Sequence, residues 1–519
     1  MCLQITKMDF VSLGLCTLYF VAFLLIVSVV HRHYQIHEKL KNIPQVGRYP
    51  FGAMFELLNR SNYEMTKILM KQFEEAKHQG IYKHWLIGQA YINIFHPEYV
   101  KVILDSKNIT KGFHYKLLEA WLGKGLIIST GEQWSHDRKL IGSLFYKQML
   151  NQYAIIQSEK AEILITRLER KIEENPGEAI DICPFMFNCT LDIICETAMG
   201  VDLRAQEPNI VTEYTTAVHQ ISELTMTRFF QPWYWINWLF YLSPKGKQYK
   251  SILKTLHEFT KQVIYRKQAE RQSQNSYTKF ENDDDEFNIG KQKRKAFLDV
   301  LLDENAKNDS PLTDDELKAQ VDTFMFAGHD TNALALIWTL FLLGNNLEHQ
   351  EEVHKELETV FGDSVTPASQ EQLSQLEYLN RVIKESHRIL PSVPVITRKL
   401  VEDVKLGNNV IPKGMTVAIT IMFLHRNPEI WPNPLKFDPD RFLPENSYNR
   451  PKCAFIPFSS GQRSCIGQQF AAIEQKIILT AILRKWRVKS VKTIDTIKYS
   501  ASVLLRPEEK VLIHFTPKK

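Results

Sequence analysis

From Asp314 to about Leu343 the chain keeps helical apolar spacing for thirty residues without a proline, and Thr313 followed by Glu316 forms a capping box at its start. At about 1.5 Å per residue this is a rod of roughly 45 Å. A mostly apolar rod of that length must cross the whole of any domain that buries it. Its centre reads Ala327-Gly328-His329-Asp330-Thr331-Asn332, a glycine and a polar cluster inside an apolar stretch. Glycine costs about 1 kcal/mol relative to alanine in a helix interior, and Asp and Thr are poor interior residues, so something other than helix stability placed them there. A tolerated kink against a neighbouring helix and a functional cluster fit the pattern equally well.

The 519 residues exceed the usual size of one domain. No glycine- or proline-rich linker divides the interior, and nothing repeats, so one large domain behind an N-terminal segment is the expected organisation. With 64 Lys and Arg against 59 Asp and Glu the net charge of +5 is too balanced for a nucleic-acid partner. The basic run Lys291 to Lys295 beside the acidic run Asp283 to Glu286 reads as a solvated loop. The cysteines (Cys2, Cys16, Cys183, Cys189, Cys195, Cys453 and Cys465) are odd in number and form no C-x-x-C pair, which argues against a disulfide framework or a zinc site. Cys183, Cys189 and Cys195 lie among apolar neighbours and read as inert core thiols.

No charge occurs from Phe10 to Val30, enough to span a roughly 30 Å hydrocarbon core once. The run is longer than a signal peptide's apolar region, and no small-residue cleavage site follows it. His31, Arg32, His33, Lys39, Lys41 and Arg48 come after it, against Lys7 and Asp9 before. The positive-inside rule then puts the rest of the chain in the cytosol. Residues 1–33 read as an anchor, 34–52 as a hinge broken by Pro44, Gly47, Pro50 and Gly52, and 53–519 as the globular domain. A cytosolic domain would leave the N-glycosylation patterns at Asn59, Asn108, Asn188 and Asn308 bare. Helical spacing over 150–199, 211–261 and 312–361, with β-like pieces at 91–95, 404–411 and 511–515, predicts a mostly α fold with small β-sheets.

Chemistry concentrates in Phe458-Ser459-Ser460-Gly461-Gln462-Arg463-Ser464-Cys465-Ile466-Gly467, a glycine-containing loop that presents one cysteine just before an amphipathic helix from Gln468 to Arg484. Unpaired N–H groups and the positive dipole end should lower the pKa of Cys465 and stabilise its thiolate. This F-x-x-G-x-R-x-C-x-G pattern resembles the haem-binding loop of the cytochrome P450 superfamily. The resemblance extends over nearly all of the chain after the anchor. It implies the P450 fold, a single large helical domain behind a transmembrane helix, and it makes Cys465 the sulfur ligand of a haem b iron. Glu385-Ser386-His387-Arg388 is similar to the family's E-x-x-R motif, and Pro439-Asp440-Arg441-Phe442 to the segment whose arginine completes that triad. A helical wheel alone makes Glu385 and Arg388 an exposed i,i+3 pair, so their burial as a structural cradle is implied only by the resemblance. By the same resemblance Trp134 and Arg138 of Trp134-Ser135-His136-Asp137-Arg138, with Arg398 and Arg463, would hold the haem propionates.

Within the superfamily the chain is similar to the fourth family, which includes fatty-acid terminal hydroxylases and many insect enzymes. The segments Gln320 to Phe326 and Leu191 to Gly200 carry that likeness. Many members have glutamate where this chain has Ala327, esterified to a haem methyl, so here the haem is expected to be non-covalent apart from the Cys465 ligand. Asn332 replaces a more usual threonine. The implied reaction inserts one oxygen atom of O2 into a C–H bond, with electrons from NADPH through an NADPH-cytochrome P450 reductase and a b-type cytochrome as a further candidate donor. Asp330 and Thr331 would manage proton delivery, Asp330 through water to solvent. Substrate contact is expected from 113–128, 324–331, 393–397 and 501–504, for a lipophilic molecule entering from the lipid of an endoplasmic reticulum membrane. Lys452, Lys476, Arg484, Lys485 and Arg487 are equally readable as a reductase dock and as solvated helix charge. Two other functions compete: a peroxide isomerase or dehydratase, whose known examples commonly lack the acid–alcohol pair, and a non-catalytic haem-binding protein, which would turn nothing over with NADPH.

Overall fold

The computed structural model describes residues 2–47, 52, 54–57, 60–86, 89–106, 109–142, 145–207, 213–278, 296–307, 312–364 and 366–518. The charged stretch from Asp283 to Lys295 lies outside the described residues, as do Asn59, Asn108 and Asn308.

The long helix forms over Asp314–Asn345, and its capping box closes, with Glu316 N–H donating to Thr313 Oγ1 at 3.3 Å and Thr313 N–H to the Glu316 carboxylate at 3.0 Å. Between Gln320 and Gly344 it is buried except at Ala327, Gly328 and Thr331. Ala327 and Thr331 are i,i+4 neighbours, so one face of a buried rod becomes accessible at its midpoint. Gly328 is explained by packing, because a Cβ there would meet Ile194 Cδ1 at 2.3 Å. The helix stays α throughout, and the glycine admits the crossing helix Cys183–Ile194.

The expected helical regions form, interrupted where proline or glycine intervenes. The first divides into Lys147–Glu174 and Cys183–Ile194, with a π turn at Cys195–Met199. The second divides at Pro232 and Pro244 into Glu213–Phe230, a short turn, Asn237–Leu242 and Pro244–Thr278. A proline cannot donate to the ladder, and it clashes with the preceding turn.

A six-stranded sheet runs Gln45–Val46, Ile81–Leu86, Gln89–Ile94, Thr416–Ile419, Ile396–Leu400, Ile109–Lys111 in spatial order. Its register sets Lys111 opposite Arg398. The N-terminal helix Cys2–Lys39 is long and apolar enough to be a candidate membrane anchor, with Leu18, Phe20 and Phe23 exposed. After Lys39 the chain docks at once, burying Leu40, Ile43 and Val46 in the core. Cys189 and Cys195 are buried, and Cys183 is half-buried, as free thiols whose pKa burial pushes up.

Candidate functional site

The thiolate loop is built by backbone. Cys465 N–H donates to Phe458 O at 2.8 Å and Ser464 N–H to Gly461 O at 3.0 Å, which closes the loop ahead of the helix Gln468–Lys485. Gly461 takes φ +72, and a Cβ there would meet Leu104 O at 2.4 Å, so only glycine fits. Cys465 keeps exposed surface, yet the protein packed around its sulfur opposes ionisation and raises the thiol pKa. The two are compatible if the sulfur is reached along one direction and enclosed along the others, which is what an axial ligand requires. The lowered pKa expected from the helix end is therefore corrected. The Gly467 N–H and the charge of Arg138 act downward, but burial outweighs both. The thiolate needs a further cation, and bound iron is one.

Four cations gather nearby. Arg138 donates to Ser464 O at 2.9 Å, and Arg463 donates to Ser129 O at 2.9 Å while its guanidinium lies 3.8 Å from the Trp134 ring centroid. Among the described residues Arg398 donates to Thr397 O alone, at 3.0 Å, and Lys111 lies over the Tyr115 ring at 4.2 Å. Burial, then Arg398 and Arg463, push Lys111 well below its ordinary pKa. Burial, then Arg398, with Arg138 acting the same way, brings Arg463 down to about 10. Like charges face each other in low dielectric, each bonded to a carbonyl or an aromatic ring instead of a carboxylate. Such an arrangement suits a ligand bringing its own carboxylates, and haem brings two. The structure thus brings Trp134, Arg138, Arg398, Arg463 and Cys465 together. Lys111 was missed, because its place in the cluster comes from sheet register and no local pattern marks it.

The E-x-x-R pair is fully buried, contrary to the wheel. Arg388 Nε and Nη2 donate to the two Glu385 oxygens at 2.7 and 2.8 Å, and Arg388 Nη1 donates to His425 O at 2.9 Å. Arg441 Nε lies 3.5 Å from Glu385. His425 Nε2 accepts from Ile456 N–H at 2.9 Å, so its Nδ1 carries the proton and faces His387 O at 3.3 Å. Burial holds His425 neutral, its pKa down at about 3. This chain of bonds ties the motif to the segment leading into the Cys465 loop.

On the central helix Thr331 Oγ1–H donates to Ala327 O at 2.7 Å. Asp330 is buried and paired through Oδ2 with Arg506, while its Oδ1 has no hydrogen-bond partner among the described residues. An unpaired carboxylate at that depth would cost several kcal/mol. Arg506 is a second residue that no sequence pattern marked. Asn332 donates to Glu474 at 2.8 Å and accepts from Gln475 Nε2 at 2.9 Å, and Gln475 Oε1 meets His387 Nε2 at 3.0 Å. Burial pushes the Glu474 carboxyl far above its ordinary range. Of the expected basic dock, Lys485 pairs with Glu169 and Arg487 with Glu351, while Lys476 and Arg484 bond to the carbonyls of Leu373 and Thr366. Partnered helix charge describes these four better than a free basic patch.

The family model described as Cytochrome P450 matches residues 44–515. The chain is 38% identical over 511 residues to cytochrome P450 4V2 of Mus musculus, covering 97% of this chain and 94% of that protein. It is 36% identical over 510 residues to cytochrome P450 4c3 of Drosophila melanogaster, again covering 97% and 94%. The solved haem domain of cytochrome P450DA superposes with a TM-score of 0.76 at 23% identity, covering 92% of this chain and 98% of that one, a likeness of fold.

Proposed function

The chain belongs to the cytochrome P450 family and is a haem-thiolate monooxygenase, and on that premise we propose that it draws electrons from NADPH through a membrane-bound reductase to oxidise a lipophilic substrate delivered by the bilayer. Haem bound at Cys465 supplies the activation of O2 and the insertion of one oxygen atom into a C–H bond. Arg138, Arg398, Arg463 and Lys111, with the Trp134 indole N–H, would neutralise and orient the two propionates. Ala327 and Thr331 form the accessible face of the central helix, where the Thr331 hydroxyl can hand on a proton while its buried surroundings keep bulk water out. Asp330 would hold the proton supply to that hydroxyl, with Arg506 fixing its charge and orientation.

The observation that carries this reading is one exposed sulfur beside four cations that have no carboxylate partner among the described residues. The exposed Trp233, Ile236, Trp238 and Leu242 support delivery from lipid, and the anchor supports an endoplasmic reticulum membrane with the catalytic domain in the cytosol. The test is the full-length protein in lipid bilayers with a P450 reductase, NADPH, labelled O2 and a panel of fatty acids, terpenoids and xenobiotics. Product carrying one labelled oxygen is expected. Turnover of a lipid peroxide without NADPH, and of nothing else, would overturn the reductase-dependent reading.

A further inference from the structure

Apart from the main core, a second apolar cluster gathers Leu57, Met65, Tyr91, Leu117, Phe229 and Phe230. It joins the helix Asn62–Ala76, the hairpin of Ile81–Leu86 with Gln89–Ile94, the start of the helix Phe113–Leu122 and the end of the helix Glu213–Phe230. From Phe230 the chain runs directly into the segment that exposes Trp233, Ile236, Trp238 and Leu242. At the other end of the helix Phe113–Leu122, Trp121 packs on Phe326 with centroids 4.6 Å apart, one residue before Ala327. The cluster therefore lies between an apolar outer surface and the accessible face of the central helix.

Set into its aromatic wall is His114. Its ring centroid is 3.8 Å from Phe229 and 5.8 Å from Tyr91, and its Nδ1 is buried with no hydrogen-bond partner among the described residues. Burial, then the neighbouring His84, lowers its pKa to about 3, so it stands as a neutral imidazole with one donor and one acceptor. His84 is already satisfied, its Nδ1 bonded to Asn93 Nδ2 at 2.8 Å.

The cations of the surrounding elements are committed elsewhere. Lys83 donates to Leu40 O at 2.5 Å, and Arg228 donates to Tyr234 O at 2.9 Å and to Asn237. Lys111 lies over Tyr115 and faces Arg398 and Arg463. On the helix Asn62–Ala76, Lys67 and Lys71 are exposed, with Lys67 over Tyr63. A carboxylate entering among these side chains would lose its hydration without gaining a free cation among the described residues, whereas a neutral oxygen would need only one hydrogen bond.

We propose that this apolar cluster lies on the substrate's route to the central helix, and that His114 is a specificity-determining residue that selects lipophiles ending in a neutral oxygen function, such as an ester, ether or ketone, over free carboxylic acids. The assignment rests on the monooxygenase reading and narrows its substrate class. It is tested by optical titration of the ferric full-length protein in bilayers with three ligands of matched chain length, a methyl ester, the parent hydrocarbon and the free acid. The ester is expected to bind roughly three- to tenfold more tightly than the hydrocarbon, the range one net hydrogen bond supplies. The acid should bind more weakly than either.

In His114→Leu the ester should lose its advantage over the hydrocarbon, and His114→Arg should turn the preference toward the acid. The red-shifted band of the reduced carbon monoxide complex reports in each variant that the thiolate pocket has assembled. Tightest binding of the acid to the native protein, an ester preference that survives in His114→Leu, or no spectral change with any of the three would each overturn the proposal. NADPH-dependent oxidation of the acid alongside such a result would leave the monooxygenase reading standing and remove only the selectivity.

Discussion

The Thr331 hydroxyl spends its proton on the Ala327 carbonyl, which leaves its oxygen free to accept on the accessible face of the helix. Thr331→Ala removes a back-bond that adds little to helix stability, so the melting temperature should hardly move. Proton control should suffer instead, with NADPH consumption continuing while peroxide released per product rises severalfold. Unchanged coupling would take Thr331 out of the mechanism. Ala327 sits one turn before it and offers only a methyl group where an ester to the haem would need a carboxylate. Acidified organic solvent should therefore extract the haem completely, and Ala327→Glu should retain part of it on the protein after turnover. Haem retained by the native protein would contradict this. These residues were legible because they lie within short patterns. Arg506 was not, since it meets Asp330 from 176 positions away and nothing near it in sequence marks a buried partner. His114 was legible only as one residue of 113–128, the longest of four segments expected to touch substrate, and its unpaired nitrogen is a product of packing.

Where helices meet, the wheel failed for a definite reason. It assigns one buried stripe to the helix Glu377–Ile389, but neighbours on more than one side bury this helix, so Glu385 and Arg388 have no access to solvent and satisfy each other, His425 O and Asp438 N–H. The capping box, by contrast, is local and formed as the sequence predicts. A second junction joins the central helix, the helix after Cys465 and the E-x-x-R helix through Asn332, Glu474, Gln475 and His387. Because burial raises the folded pKa of Glu474, the native state holds a proton that the unfolded chain has already released. The stability from this group is fully present below the unfolded carboxyl value of about 4.3 and is lost as pH rises toward the folded value. Glu474→Gln keeps an acceptor for Asn332 and does not titrate. Its melting temperature should rise relative to the native protein between about pH 5 and about pH 8. A difference that stays constant across that range would mean the carboxyl is ionised in the fold.

For the molecule as a whole, the candidate anchor and the central rod were legible as the two long apolar helices among the described residues, and position tells them apart, one exposed at the N-terminus and one buried. What the sequence did not disclose is that a second surface accompanies the anchor. Trp233, Ile236, Trp238 and Leu242 are scattered through a turn and a six-residue helix too short to show amphipathic spacing, yet all four side chains are exposed. Tryptophan is favoured at the membrane–water boundary, and apolar side chains left in water gain by entering the acyl region. Removing residues 1–33 should therefore leave a protein with the thiolate spectrum intact that still binds phospholipid vesicles, reversibly, instead of one that is freely soluble. Trp238→Ser with Leu242→Ser in the truncated protein should release it from vesicles, because these two carry the largest exposures of the four, 66% and 68%. Vesicle flotation distinguishes the outcomes. Complete loss of binding on truncation alone would show that residues 1–33 are required and that no second surface holds the protein, and binding unaffected by the double substitution would place the second contact elsewhere on the surface.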